Sequence, residues 1–209
     1  MKKTSIILLC LFTAVACTRK PIQIPQNADE PFKDFISAYT SGMISKSQAV
    51  RLVLKDSLPL SYIEEPALLK KHLKTTPSFD YELEIKRANI VSIKPTKHLA
   101  SGTRYKIDVD IEGMLDTTLQ TSHFPMVFET HNQDFNLTSL KLSPQNINKP
   151  NSLVLKGTIT TNDLAQFAQV KKMLTEVGDK PLNQVKWRKE GSRNFMFEIE
   201  NIAKKEKSY

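Results

Sequence analysis

Between Phe35 and Glu200 the chain is a succession of short runs in which apolar and polar residues alternate, separated by Gly, Pro, Asn and Asp turn signals. The clearest run is Thr103 to Ile111, where Tyr105, Ile107, Val109 and Ile111 share one parity and Arg104, Lys106, Asp108 and Asp110 the other. Because side chains of a strand alternate between its faces, this run predicts one buried and one solvated face. Further strands are expected at Ala49 to Leu54, Phe79 to Ile85, Ile90 to Lys94 and Phe124 to Thr130. After a boundary near His131 to Asp134, others are expected at Phe135 to Leu142, Leu153 to Thr160, Gln184 to Arg188 and Phe195 to Glu200. Many short strands at even spacing predict an all-β fold, here two immunoglobulin-like β-sandwich units, each with a short helix.

The helical pattern occurs twice. Leu68, Leu69, His72 and Leu73 have helical spacing within Glu65 to Leu73, with Pro66 in the first turn where its missing N–H is tolerated. A longer stripe is formed by Leu164, Phe167, Val170, Leu174 and Val177. Asn162 or Asp163 is expected to cap that helix, Lys171 and Lys172 suit its dipole, and Gly178 ends it. The stripe predicts packing on a sheet.

The N-terminus follows a different pattern. Lys2 and Lys3 precede an apolar stretch from Ile6 to Phe12 and then Thr13-Ala14-Val15-Ala16-Cys17, the layout of a secretory signal. A helix from Thr4 to Ala16 would span about 20 Å at about 1.5 Å per residue, short of a bilayer's roughly 30 Å hydrocarbon layer. Small residues directly before Cys17 resemble the lipobox of bacterial lipoproteins, with Ala14 where that family more often has Leu. The resemblance implies cleavage before Cys17 and acylation of its thiol; the alternative is an ordinary signal cut nearby with Cys17 a bystander. At about 0.8 kcal/mol per buried methylene, two or three acyl chains hold a protein on a bilayer. The expected organisation is a signal peptide over residues 1–16, a lipidated, proline-bearing tether over 17–34, one sandwich unit over 35–131 and a second over 132–209.

Composition narrows the remaining possibilities. The two cysteines, Cys10 and Cys17, leave no disulfide once the first departs with the signal and the second is lipidated, so the mature chain is expected to rely on an apolar core. The formal charge of +8 falls to +6 when Lys2 and Lys3 are removed, and the remaining lysine pairs are dispersed with no basic, aromatic-interleaved stripe. This composition does not point to nucleic acid as a partner. The second unit has only 78 residues from Asn132 to Tyr209, against about 100 for a complete immunoglobulin-like sandwich. Closing strands are therefore expected from elsewhere, either a longer chain or a partner.

Leu99-x-x-Gly102-x-x-Tyr105 leads into the strongest strand and resembles the tyrosine corner of Greek-key sandwiches. In that arrangement the phenol bonds to backbone a few residues upstream while glycine permits the turn. The alternative is a buried Tyr in a generic β-loop.

Three stretches together resemble the N-terminal region of bacterial α2-macroglobulin-like lipoproteins, especially the large ones of Bacteroidetes. They are Phe35 to Ser45 with its Gly42-x-Ile44-Ser45 turn, Phe79 to Ile111, and Gln133-Asp134-Phe135 through Leu155-x-Gly157-Thr158 to Val185-Lys186-Trp187. The resemblance implies a membrane-anchored N-terminal portion of a protease inhibitor, with proteases as partners only through a longer full-length chain. Members of the family trap proteases after a bait segment is cut, and many acylate them through a Cys-x-x-Gln thioester. No cysteine follows Cys17 and no bait segment is identifiable, so neither function is expected of these residues. The competing reading is a free-standing immunoglobulin-like envelope lipoprotein that binds a glycan or protein. Thr18-Arg19-Lys20 lack the acidic residues that direct Bacteroidetes lipoproteins to the cell surface, which implies the periplasmic face of the outer membrane.

Candidate chemistry is sparse. His72, His98, His123 and His131 have no metal-ligand spacing, and no nucleophile elbow or phosphate loop is present. No enzyme activity, metal or cofactor is expected. Trp187, which shares a strand face with Val185, is expected in the core, an exposed ligand platform being the alternative. Asp56-Ser57-Leu58 and Asp116-Thr117-Thr118 resemble Bacteroidetes O-glycosylation sites, making Ser57 and Thr117 candidate acceptors. Asn136-Leu137-Thr138 fits an N-glycosylation sequon, which has no use in a bacterial lipoprotein.

Overall fold

The structure, a computed structural model, describes residues 30–119, 121–146, 148–174 and 185–203. Its strands form three four-stranded sheets, and the chain is an all-β sandwich protein. The first sheet contains β1 (Ile36–Tyr39), β3 (Val50–Leu54), β6 (Ile90–Pro95) and β5 (Tyr81–Lys86), in the order β1-β3-β6-β5. The second contains β2 (Gly42–Ile44), β8 (His123–Thr130), β7 (Arg104–Asp110) and β4 (Leu73–Thr76), in the order β2-β8-β7-β4. Their inner faces share one core with Leu52, Leu54, Ile93, Ile107, Val109, Met126 and Phe128 fully buried. The strand β7 alternates as its sequence demands: Tyr105, Ile107 and Val109 point inward, and the residues between them lie at or near solvent.

The chain crosses between these sheets at Thr40 and Ser41, leaving the edge strand β1 and joining β2 in parallel to β8. Gly42 supports the crossover with φ of 74°, a left-handed conformation that glycine adopts without a Cβ penalty. Short helices α1 (Leu60–Glu64) and α2 (Ile111–Leu115) bury Tyr62, and Ile111 with Met114, in the core of the sandwich. The predicted helix over Glu65 to Leu73 is a 3-10 helix at Pro66–His72, and Leu73 opens β4. Ile111, expected to end the alternating strand, instead begins α2, because the Asp110 side chain accepts the Gly113 amide and caps the helix.

The third sheet contains β9 (Phe135–Asn146), β10 (Lys149–Thr161), β11 (Val185–Glu190) and β12 (Asn194–Ala203), ordered β11-β12-β10-β9. Helix α3 (Phe167–Lys171) packs Phe167 and Val170 on Ile159, Phe195, Phe197 and Ile199. This core is separate from that of the sandwich. The helix is shorter than its stripe predicts. It starts at Phe167 with Gln166 as N-cap, and neither Asn162 nor Asp163 caps it, because the Asp163 carboxylate is engaged elsewhere. Val177 and Gly178 lie outside the described residues.

The apolar layer of this sheet continues past the helix. Leu137, Leu140 and Leu142 pair with Ile159, Gly157 and Leu155, which in turn pair with Phe195, Phe197 and Ile199, so all lie on one face. On the edge strand β9, however, these leucines are 49%, 58% and 54% exposed. Gly157 is needed beneath the Phe197 ring, which occupies the space a Cβ would fill.

Candidate functional site

The densest long-range polar contacts lie where the sandwich meets the third sheet. Ile44 ends β2, and the next two residues turn toward the end of β10. There Ser45 Oγ donates to Asp163 Oδ1 at 2.6 Å and the Lys46 amide donates to Oδ2 at 2.8 Å. The Leu164 amide donates to Oδ1 at 2.7 Å, giving the carboxylate a hydroxyl and two backbone amides as donors. Asp163 is only 2% exposed. Burial alone would raise its carboxyl, but the Lys46 amide, the Ser45 hydroxyl, the Leu164 amide and the Lys46 charge more than offset this and hold it below the usual carboxylate range.

Both sides of this contact are braced. On the third sheet, Thr161 Oγ1 donates to the Asp163 carbonyl at 2.7 Å and Arg193 Nε to the Thr161 carbonyl at 2.8 Å, tying the turn to the β11–β12 hairpin. On the sandwich, the Leu99 amide donates to the Lys46 carbonyl at 2.9 Å and the His131 amide to the Ile44 carbonyl at 3.0 Å. Leu99 belongs to the loop before β7, where Tyr105 Oη accepts the Ala100 amide at 3.0 Å. Thr130 Oγ1, fully buried, donates to the Ala100 carbonyl at 2.6 Å and accepts the Thr103 amide at 3.0 Å. Gly102 turns the loop with φ of 58°, and its amide donates to the His131 carbonyl at 3.1 Å. Gly42-x-Ile44-Ser45, Leu99-x-x-Gly102-x-x-Tyr105 and Gln133-Asp134 therefore meet at one junction, where the Asp134 carbonyl accepts the Asn162 amide at 2.9 Å.

A second polar chain lies inside the sandwich and has no counterpart in the sequence reading. Asp110 Oδ2 lies 3.0 Å from His72 Nδ1, and His72 Nε2 lies 2.8 Å from Tyr62 Oη. This is the connectivity of a carboxylate–imidazole–hydroxyl relay, but Tyr62 and His72 are 8% and 9% exposed and their rings meet edge to face. The hydroxyl is thus packed in the core, and the arrangement satisfies buried polar atoms. The His72 hydrogen bond and the Gly113 amide hold the Asp110 carboxyl below its usual range. Gly113 fits because a Cβ there would press on the His72 ring and the Asp110 carboxylate. Only the spacing Asp110-x-x-Gly113, a capping pattern, is visible locally in the sequence.

The remaining sequence-predicted residues lie apart from both clusters. Cys17 is outside the described residues. Ser57 is exposed in the bend after β3, and Thr117 is half-buried just after α2, its amide donating to the Glu112 carbonyl at 3.3 Å. Trp187 is half-buried, packing edge to face on Phe167 and tilted on Phe197. On the opposite face of the third sheet a shallow groove of about 340 Å³ is lined by Ser139, Lys156, Thr158, Arg188 and Glu198, with Lys156 and Glu198 paired at 3.1 Å. Among the described residues no group of three or more His, Cys, Asp or Glu could hold a metal ion. No described helix is long and apolar enough to cross a membrane.

No protein-family model matches the sequence, and no curated protein does. Among solved structures, an L,D-transpeptidase from Mycobacterium tuberculosis H37Rv is similar at 11% identity and a TM-score of 0.33, over 59% of this chain and 48% of that one. L,D-transpeptidase 3 from Mycobacterium tuberculosis is similar at 12% identity and a TM-score of 0.32, over 59% and 44%. The LD transpeptidase LdtMt1 in complex with imipenem is similar at 12% identity and a TM-score of 0.35, over 64% and 51%. The chain thus spans about half the length of these structures. A likeness at this level bears on neither fold nor chemistry.

Proposed function

We propose that this chain is the membrane-anchored, non-catalytic N-terminal portion of an α2-macroglobulin-like protease inhibitor of the bacterial envelope. The observation that supports the reading is the convergence of the three resembling stretches on one junction, through Ser45, Leu99 and Gln133. In this reading Cys17 carries the lipid, the tether spaces the sandwich from the outer membrane, and the β units present the rest of the inhibitor to proteases. The chain itself supplies neither a thioester cysteine nor an identifiable bait segment.

The test uses the native host. Radiolabelled palmitate is expected in the wild-type protein and not in Cys17→Ser, and the full gene product is expected to suffer one early cut by an added protease and then change its hydrodynamic radius. An unlabelled, freely soluble wild-type product would overturn the anchoring. A stop codon directly after Tyr209 with a stable monomer in solution would overturn the inhibitor assignment in favour of a free-standing envelope module.

A further inference from the structure

We infer that Asp163 is a positioning residue that locks the third sheet to the sandwich at one fixed angle. The two bodies have separate apolar cores, one built on Leu52, Ile93, Ile107 and Phe128 and the other on Ile159, Phe195, Phe197 and Ile199. No strand of one makes more than a marginal contact with a strand of the other. They are joined covalently through His131 to Asp134, between the end of β8 and the start of β9. Two units with a small polar interface are expected to move relative to each other.

Asp163 opposes that motion in a way a surface ion pair would not. Its carboxylate is buried and spans 118 residues of sequence to reach Ser45. Both oxygens are used across the junction, Oδ1 by the Ser45 hydroxyl and Oδ2 by the Lys46 amide. A rotation of either body breaks both bonds together and leaves a desolvated carboxylate short of donors, a costly state. Each side of the contact is tied to its own unit: the Lys46 carbonyl accepts the Leu99 amide beside the donors, and the Asp163 carbonyl accepts Thr161 Oγ1 beside the acceptor. Weaker contacts, Gln133 Nε2 to the Asp163 carbonyl at 3.4 Å and Lys46 Nζ to Gln133 Oε1 at 3.3 Å, close the rim. The lock is thus a single carboxylate held across the junction by one side-chain hydroxyl and one backbone amide.

The experiment measures a distance distribution by electron–electron resonance in the full chain carrying Cys10→Ser and Cys17→Ser. Spin labels are attached at Lys94→Cys on β6 and Lys189→Cys on β11, both exposed positions. The parent is expected to give one narrow peak, Asp163→Ala is expected to lose it to a broad distribution while the far-ultraviolet circular dichroism of the strands persists, and Ser45→Ala, which keeps the Lys46 amide bond, is expected to broaden it measurably but less. Asp163→Asn should lie between, since its amide oxygen still accepts from Ser45 while its NH₂ group cannot accept from Lys46. If Asp163→Ala fails to fold, Ser45→Ala carries the test, because Ser45 belongs to neither core. A peak as narrow in Ser45→Ala, and in any folded Asp163→Ala, as in the parent would overturn the inference.

Discussion

The Tyr105 phenol accepts the Ala100 amide at 3.0 Å, five positions upstream, closing the loop over Gly102. The ring also stacks on Phe128 and meets Phe79 edge to face, each at a centroid distance of 5.5 Å. Tyr105→Phe keeps both ring contacts and removes only the acceptor, and exposed Ala100 can turn its amide to water. The expected loss is therefore about 1 kcal/mol, the usual net value of one hydrogen bond. It should be read as a lower urea midpoint with an unchanged slope; an unchanged midpoint would remove the phenol from any role in holding the loop.

Gly157→Ala should weaken the third sheet through a partner on the neighbouring strand. The new methyl would occupy the place of the Phe197 ring, which is 4% exposed and has no empty space to enter. Overpacking of this kind costs about 1–3 kcal/mol. Thermal unfolding would register it, and adding Phe197→Leu should recover part of the loss if steric conflict is the cause.

The two ends of one apolar layer should respond very differently to truncation. Phe195 is fully buried against Phe167, whereas Leu140 on β9 is 58% exposed. Phe195→Ala is expected to cost about 3–5 kcal/mol, and Leu140→Ser about 0.5 kcal/mol or less. Equal losses in chemical denaturation would show that β9 is covered in solution.

Acid should weaken the sandwich through Asp110. Its carboxyl is held below the usual range by His72 and the Gly113 amide, with smaller help from the charge of His123. The folded pKa therefore lies below the unfolded value of about 3.9, so the stabilisation is present above that value and lost as pH falls through the folded pKa. Asp110→Asn should flatten the stability curve over this acid range, which urea titrations at a series of pH values would detect. A curve of unchanged slope would mean that other carboxylates dominate.

Much of the β architecture is legible in the sequence because long alternating runs are two-sided. The runs around Tyr105, Ile93 and Phe128 became β7, β6 and β8 within a residue or two of their expected limits. The strands β1, β2 and β4 carry no such signal, being three or four residues long and set by their neighbours across the sheet. The junction is less visible for a chemical reason. A carboxylate just before an apolar helical stripe is the signature of an N-cap, and Asp163 performs the same chemistry, accepting backbone amides, toward Lys46 and Leu164. Local spacing cannot distinguish a cap from a contact made 117 residues away. The hydrogen-bonded chain of Asp110, His72 and Tyr62 is hidden likewise, since its members come from three separate elements.

Phe32 gives the sandwich a mechanical property. It is 1% exposed and set edge to face against Phe124 at a centroid distance of 5.2 Å, only four residues before β1 begins. Tension applied to the chain from before Glu30 would meet this buried ring before it met a strand, and drawing the ring out would expose it to water ahead of any loss of the hydrogen bonds of β1 to β3.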